Sequence, residues 1–253
     1  VSDPRPELIQ LAHDLGREDR HLAILGEGNV SAPGSPGTFW VKASGSSLGT
    51  LQENQLTQVR SGIVLQALDQ NDLDDHAVLD VLRASQVSAD AALPSVETFL
   101  HAVALNEGGA ACVGHVHPVS VLGLLCARGG LDAFQQHLFP DAIVVCGRHL
   151  ATVPYLDPGL ALARAFRASL RAFTARHGHP PRVLLMENHG PVALGASAKD
   201  VLNILLMLDK WARILATTLA TGGPQYLPQS ESDRIDARPD EHIRRQQILG
   251  TKP

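Results

Sequence analysis

Basic excess, aromatic side chains, paired cysteines and long apolar runs are all scarce in this sequence of 253 residues. Each shortage removes a class of function. Lysine and arginine number 21 against 26 aspartates and glutamates, so the formal net charge is −5, and aromatic residues make up only 4%. A nucleic-acid binder needs a basic footprint and rings for stacking, so no nucleic-acid partner is expected. The cysteines, Cys112, Cys126 and Cys146, are odd in number and lack C-x-x-C spacing. They fit neither a disulfide framework nor a thiolate zinc site. No uncharged apolar run approaches the length of a membrane span, so no membrane partner is expected either. Val1 to Glu7 show no basic region leading into an apolar one, and no secretory signal is expected. What is present is enough chain for a full core and twelve histidines, which together make a soluble cytoplasmic enzyme the starting expectation.

Apolar residues at helical spacing (Leu8, Leu11, Ala12, Leu15, Leu22 and Leu25) predict a helix over residues 5–25. A loop rich in glycine, serine and proline follows from Gly28 to Gly37, then a strand from Thr38 to Ala43. Strands are expected around Gln58 and Val59 and from Gly62 to Leu65, with a short helix from Asp74 to Ala84. Ser95 is placed to cap a helix from Val96 to Leu105. Ala110 to His117 reads as a strand that leads into a helix from Pro118 to Ala127. Ala142 to Cys146 reads as a short buried strand, and Asp157 with Pro158 opens a helix from Gly159 to Phe173. Strands over Arg182 to Glu187 and Val192 to Leu194 flank the turn from Asn188 to Pro191.

Ser197 and Asp200 resemble a capping box at the start of a long helix, whose Val201, Leu205, Leu208, Leu215 and Leu219 form a core stripe. Strands and helices alternate with short connections, so residues 1–222 read as one α/β domain. Residues 223–253 read as a polar C-terminal tail on or near it, whose charged part, Glu231 to Gln247, either packs as a last helix or stays loose.

His115 and His117 are the first chemical signal. Alternation along a strand puts both on one face, where two imidazoles can reach one metal ion; the spacing is equally open to chance. His189 sits in a turn that can aim a side chain into a cleft, although alone it reads as a solvated turn histidine. Glu97 in the first turn of its helix is favoured by the helix dipole, or else is a carboxylate beside a metal acting as general base. His101 reads as structural or partly exposed, and His76, His137, His149, His177, His179 and His242 as solvated. Gly28-Asn29, Ser44-Gly45 and the helix start at Ser95 could present N–H groups to an anion. Gly26-x-Gly28 lacks the preceding strand and third glycine of a dinucleotide site. Lys42 reads as a solvated lysine on an edge strand.

Each motif is modest; their order is specific. Gly28-Asn29-Val30-Ser31, Lys42-Ala43-Ser44-Gly45, Pro94-Ser95-Val96-Glu97, His115-Val116-His117 and Asn188-His189-Gly190 together resemble the class II aldolase/adducin family over about residues 20–220. That family includes fuculose- and rhamnulose-phosphate aldolases, ribulose-phosphate 4-epimerase, decarboxylases, dehydratases and the adducin head domain. The resemblance implies a three-layer α/β/α domain with a mixed, largely antiparallel central sheet, assembled as a homotetramer with sites at subunit interfaces. It implies Zn2+ (or another divalent transition metal) on His115, His117 and His189, with Glu97 as catalytic acid/base and a further metal ligand before substrate arrives. Asn29, Ser44, Gly45 and Ser95 would bind the substrate's phosphate.

The implied activity is aldol cleavage of a small sugar or sugar phosphate through a zinc-stabilised enediolate, a lyase of carbohydrate metabolism. A 4-epimerase, a decarboxylase, a dehydratase and a non-catalytic adducin-like scaffold are the alternatives. Two departures are visible. Typical sugar-phosphate aldolases of the family carry a second serine where this chain has Val96, which removes one phosphate donor. Relatives also donate a proton from a neighbouring subunit's tyrosine, expected here around Leu138 to Val144, whereas the only tyrosines are Tyr155 and Tyr226.

Overall fold

In the computed structural model, which describes residues 3–71, 73–241 and 243–244, the first helix α1 is Arg5–Leu15, shorter than its apolar spacing predicts. It ends at Gly16, whose backbone lies so close to Gly49 that a Cβ there would sit 2.1 Å from the Gly49 nitrogen. A turn over Glu18–Arg20 follows, after which Leu22 is buried while Leu25 lies on the surface. Half of the expected Gly28–Gly37 loop is a strand, β1 (Asn29–Pro33). Its serine and proline content hid it, because its extended form is imposed by neighbours on both sides.

β2 (Thr38–Lys42) and β3 (Leu56–Arg60) match expectation. Gly62 to Leu65, expected as a strand, belongs to helix α2 (Ser61–Ala67). α3 (Asp75–Ser85) is capped by Asp74, whose carboxylate accepts from the Ala77 N–H at 2.8 Å. α4 is Thr98–Asn106, β4 is Cys112–His115 and α5 is Val119–Leu125. The run expected as a strand from Ala142 to Cys146 is helix α6 (Pro140–Cys146), buried along its whole length from Ala142. Short apolar runs of this kind do not distinguish buried helix from buried strand by periodicity. β5 (Ala151–Val153) lies in a stretch with no expected strand; α7 (Leu160–His177), β6 (Val183–Met186) and β7 (Gly190–Gly195) follow. Asp157 does not cap α7, since Gly159 takes that position.

The strands form one seven-stranded sheet in the order β3-β2-β1-β4-β7-β6-β5, antiparallel except for β5 beside β6. Helices cover both faces, so the architecture is the three-layer α/β/α sandwich with a mixed, largely antiparallel sheet. On one face α1, α5 and α8 (Ala198–Ala220) bury Leu8, Leu15, Leu125, Leu205 and Trp211. On the other, α2, α3, α4 and α7 bury Phe39, Leu82, Phe99, Phe166 and Leu170. Each large apolar side chain so buried contributes roughly 1.5–3 kcal/mol. Central strands such as β4 are therefore buried on both faces.

Ser197 caps α8 by accepting from the Asp200 N–H at 3.1 Å, but the Asp200 carboxylate does not complete the box. It turns to Arg182 at 2.6 Å and to the Ala196 N–H at 3.0 Å. In the polar tail, α9 (Gln229–Ala237) lays Ile235 against Ile143 and Val144 of α6. His242 and residues 245–253 lie outside the described residues. Lys42 is 1% exposed and sits on the second strand from the edge, so it is not a solvated edge lysine. His137, expected in solvent, is 1% exposed and stacks on Trp211. Among the described residues no helix is long and apolar enough to cross a membrane.

Candidate metal centre

Three chain segments meet at the ends of β4, β6 and β7. His115 closes β4, and the chain then leaves the sheet with the His117 N–H donating to the Leu22 carbonyl at 2.9 Å. Alternation keeps both imidazoles on the face towards α4, with Val116 in the opposite core. His189 comes from the turn between β6 and β7, where Asn188 takes the left-handed conformation (φ 53°) and Gly190 follows at φ 148°. A Cβ on Gly190 would lie 2.6 Å from the Val116 carbonyl and 3.1 Å from His117 Cδ2, so only glycine lets this turn close on His117.

Glu97 stands immediately before α4. Ser95, expected as that helix's cap, instead starts a turn in which its carbonyl accepts from Thr98 at 3.0 Å. The bridge between Ala43 and Pro94 holds this segment against the end of β2, which moves the helix start to Thr98.

The ligand atoms converge. Glu97, His115, His117 and His189 each offer one atom, all within 4.8 Å of one another. His115 Nε2 lies 3.0 Å from His117 Nε2 and 3.3 Å from Glu97 Oε1, which is 3.1 Å from His189 Nε2. The imidazoles meet edge to face at centroid separations of 4.8, 5.0 and 5.1 Å. His115 Nδ1 donates to the Pro191 carbonyl at 2.9 Å, which leaves Nε2 as the free lone pair of the neutral ring. Glu27 Oε1 stands 3.8 Å from His117 Nδ1 while its other oxygen accepts from the Ile24 N–H at 3.0 Å. The Asn29 amide donates to Glu97 Oε2 and, at 3.3 Å, to Ser95 Oγ.

Electrostatics agree with a cluster built around positive charge. Burial pushes the Glu97 carboxyl up, but His115 and His189 beside it hold it well below the usual carboxylate range. Burial opposes protonation of His115, yet the adjacent Glu97 raises it above an ordinary histidine. His117 is pushed down to about 3 by burial and by the neighbouring imidazoles. A carboxylate among three imidazoles thus favours one cation in their midst, and neutral imidazole with carboxylate oxygen is a donor set for zinc and similar divalent ions. The residues present fit such an ion.

Among the substrate positions implied by the resemblance, Asn29 and Ser95 are hydrogen-bonded into the cluster, whereas Ser44 and Gly45 occupy an exposed turn beside it. The Ser44 N–H donates to Leu93 at 2.9 Å, tying that turn to the segment before Glu97. Lys42 gives its ammonium to the carbonyls of Ser46 at 2.7 Å, Gly26 at 3.3 Å and Ala43 at 3.4 Å. It braces the two loops, and burial lowers its pKa. Sequence reasoning passed over Glu27, although it lies inside Gly26-Glu27-Gly28-Asn29, and over the Pro191 carbonyl, which no side-chain pattern marks.

A family model described as Class II Aldolase and Adducin N-terminal domain matches residues 6–216. YuxG of Bacillus subtilis (strain 168), described as an uncharacterised oxidoreductase, is 25% identical over 241 residues, 90% of this chain and 32% of that protein. The 3-oxo-tetronate 4-phosphate decarboxylase of Escherichia coli (strain K12) is 28% identical over 144 residues, 54% of this chain and 64% of that enzyme. The chain's matches thus span less than two thirds of either relative. A solved L-fuculose 1-phosphate aldolase has the same fold, with a TM-score of 0.69 at 18% identity, covering 93% of this chain and 95% of that one.

Proposed function

The chain belongs to the class II aldolase and adducin N-terminal domain family, and from that premise we propose a zinc-dependent aldolase that cleaves a small sugar or sugar phosphate. The observation that carries this reading is the convergence of Glu97, His115, His117 and His189 within 4.8 Å. His115, His117 and His189 would hold the ion, with Glu97 as a further ligand before substrate arrives. Once bound, the ion supplies Lewis-acid polarisation of a substrate carbonyl.

This chain's own residues supply the proton transfer at carbon and the binding contacts. Glu97, held ionised by its imidazole neighbours, removes a proton from the carbon beside the carbonyl in the condensation direction and returns it in cleavage. The Asn29 amide anchors one carboxylate oxygen and leaves Oε1 directed at the imidazoles. Ser95 and the Ser44-Gly45 turn border the cluster and would bind the substrate's remaining oxygens, or a phosphate. The assembly we propose is a cytoplasmic homotetramer, and the three free cysteines are in keeping with a reducing compartment.

Metal analysis with a cleavage assay on ketose phosphates tests the proposal. Glu97→Gln should fold normally and lose about 10²–10⁴-fold in kcat. A purified protein that neither contains nor takes up a divalent ion would overturn it and leave the scaffold reading. The similarity to the tetronate-phosphate decarboxylase favours one second reading, decarboxylation of a 3-oxo acid at the same site. Carbon dioxide release, with no aldehyde product, would select it.

A further inference from the structure

Ser31 and His101 are fully buried beside the metal centre, and the proposed chemistry uses neither. His101 lies one helical turn after Glu97, and its backbone N–H donates to the Glu97 carbonyl at 3.2 Å. Residues four apart share a helix face. Ser31 lies two residues after Asn29 in β1 and therefore on the same face of the sheet. Ser31 Oγ and His101 Nδ1 are hydrogen-bonded at 2.6 Å, and Asn29 is bonded to Glu97. Four helical residues advance about 6 Å and two strand residues about 6.7 Å. The matched spacings make two parallel rungs between one strand and one helical turn. A single rung sets a separation; two also fix rotation of the helix start, and so the direction in which Glu97 points.

Packing alone does not explain His101. Its Nε2 is buried with no hydrogen-bond partner among the described residues, and so is Thr98 Oγ1 three residues earlier on the same helix. Unsatisfied buried polar atoms destabilise a fold, and an apolar side chain would fill the same space without that loss.

We propose that Ser31 and His101 are a positioning pair that aims the Glu97 carboxylate at His115 and His189 and thereby sets how tightly the site holds a divalent ion. This rests on the metal reading above. The test uses the full chain with cobalt(II) as probe, read by competition titration and by visible absorption, which reports the ligand set. Ser31→Ala is expected to weaken cobalt binding about tenfold and change the spectrum, and Ser31→Thr to restore both. In a Glu97→Ala background Ser31→Ala should have no further effect. Leu215→Ala, a destabilising change on the opposite face of the sheet, should lower Tm and leave both readouts alone. Wild-type affinity and spectrum in Ser31→Ala, or an undiminished effect without Glu97, would overturn the pair's role. A wild-type chain that binds no cobalt would instead overturn the metal reading, and the pair's role with it.

Discussion

At the scale of single residues, environment decides what a side chain can do. Cys112 and Cys146 are buried, and burial pushes both thiols up to about 12, while Cys126 is exposed. Thiolate is the reactive form. With Ellman's reagent at mildly alkaline pH, one thiol of the folded chain should react quickly, and Cys126→Ser should abolish that phase while unfolding exposes the other two. The histidines divide in the same way. His115, His117 and His189 were picked out by the order of their motifs, which resembles a family, while strand alternation and a turn left each open to a plainer reading. His137 was read as solvated, since nothing in its own segment shows that Trp211 closes over it, and His101 was read as structural or partly exposed without any sign of Ser31 as its partner. Lys42 is another such case: its neighbours in sequence describe an edge strand, and its burial comes from loops that fold over its ammonium.

At the scale of elements, caps and partners set boundaries that apolar spacing does not. α8 was legible as a helix because its Ser197 cap and long apolar stripe are local features, but Leu219, expected in that stripe, is 55% exposed past the last buried turn. Its anchor was not: Asp200 is fully buried and meets Arg182 from beside β6, a pairing across the fold. Asp200→Ala would strip the partner from the Arg182 guanidinium and leave the Ala196 N–H unpaired. With Arg182 partly exposed and still bonded to the Val145 carbonyl, such a change should cost about 1–3 kcal/mol, measured as a lower midpoint in urea with an unchanged slope. β1 and α6 show the converse. β1 was hidden by serine and proline and is extended because β2 and β4 flank it; α6 looked like a strand and is helical between α8 and α9.

For the whole molecule, buried neutral histidines make stability fall in acid. His137 has a folded pKa near 4 because burial opposes its charge, against about 6.5 in an unfolded chain. A base whose folded pKa is depressed binds fewer protons than the unfolded chain below about 6.5. Stability is therefore full above that value and is lost as pH falls towards 4. His101 adds to this in the same direction. Between pH 7 and pH 5 the His137 contribution amounts to about 2 kcal/mol, and His137→Phe, which keeps the stack on Trp211, should make the metal-free protein's loss of stability over that window smaller by that amount in chemical denaturation, the His101 part remaining.

The sequence by itself determined which groups are available: three imidazoles, one carboxylate and the serine and glycine turns, in an order that marks their family. It also determined elements such as β2, α3, α7 and α8, where capping and apolar periodicity are local, but not β1, β5, α2 or α6. Only the tertiary structure decided that Asn29, Ser95, Glu97, His115, His117 and His189 meet. The contacts that join them bridge up to 92 positions, and no local pattern encodes a distance across a sheet. It likewise decided that Ser31 and His101 stand behind Glu97, because burial and pairing arise only when both faces of the sheet have closed.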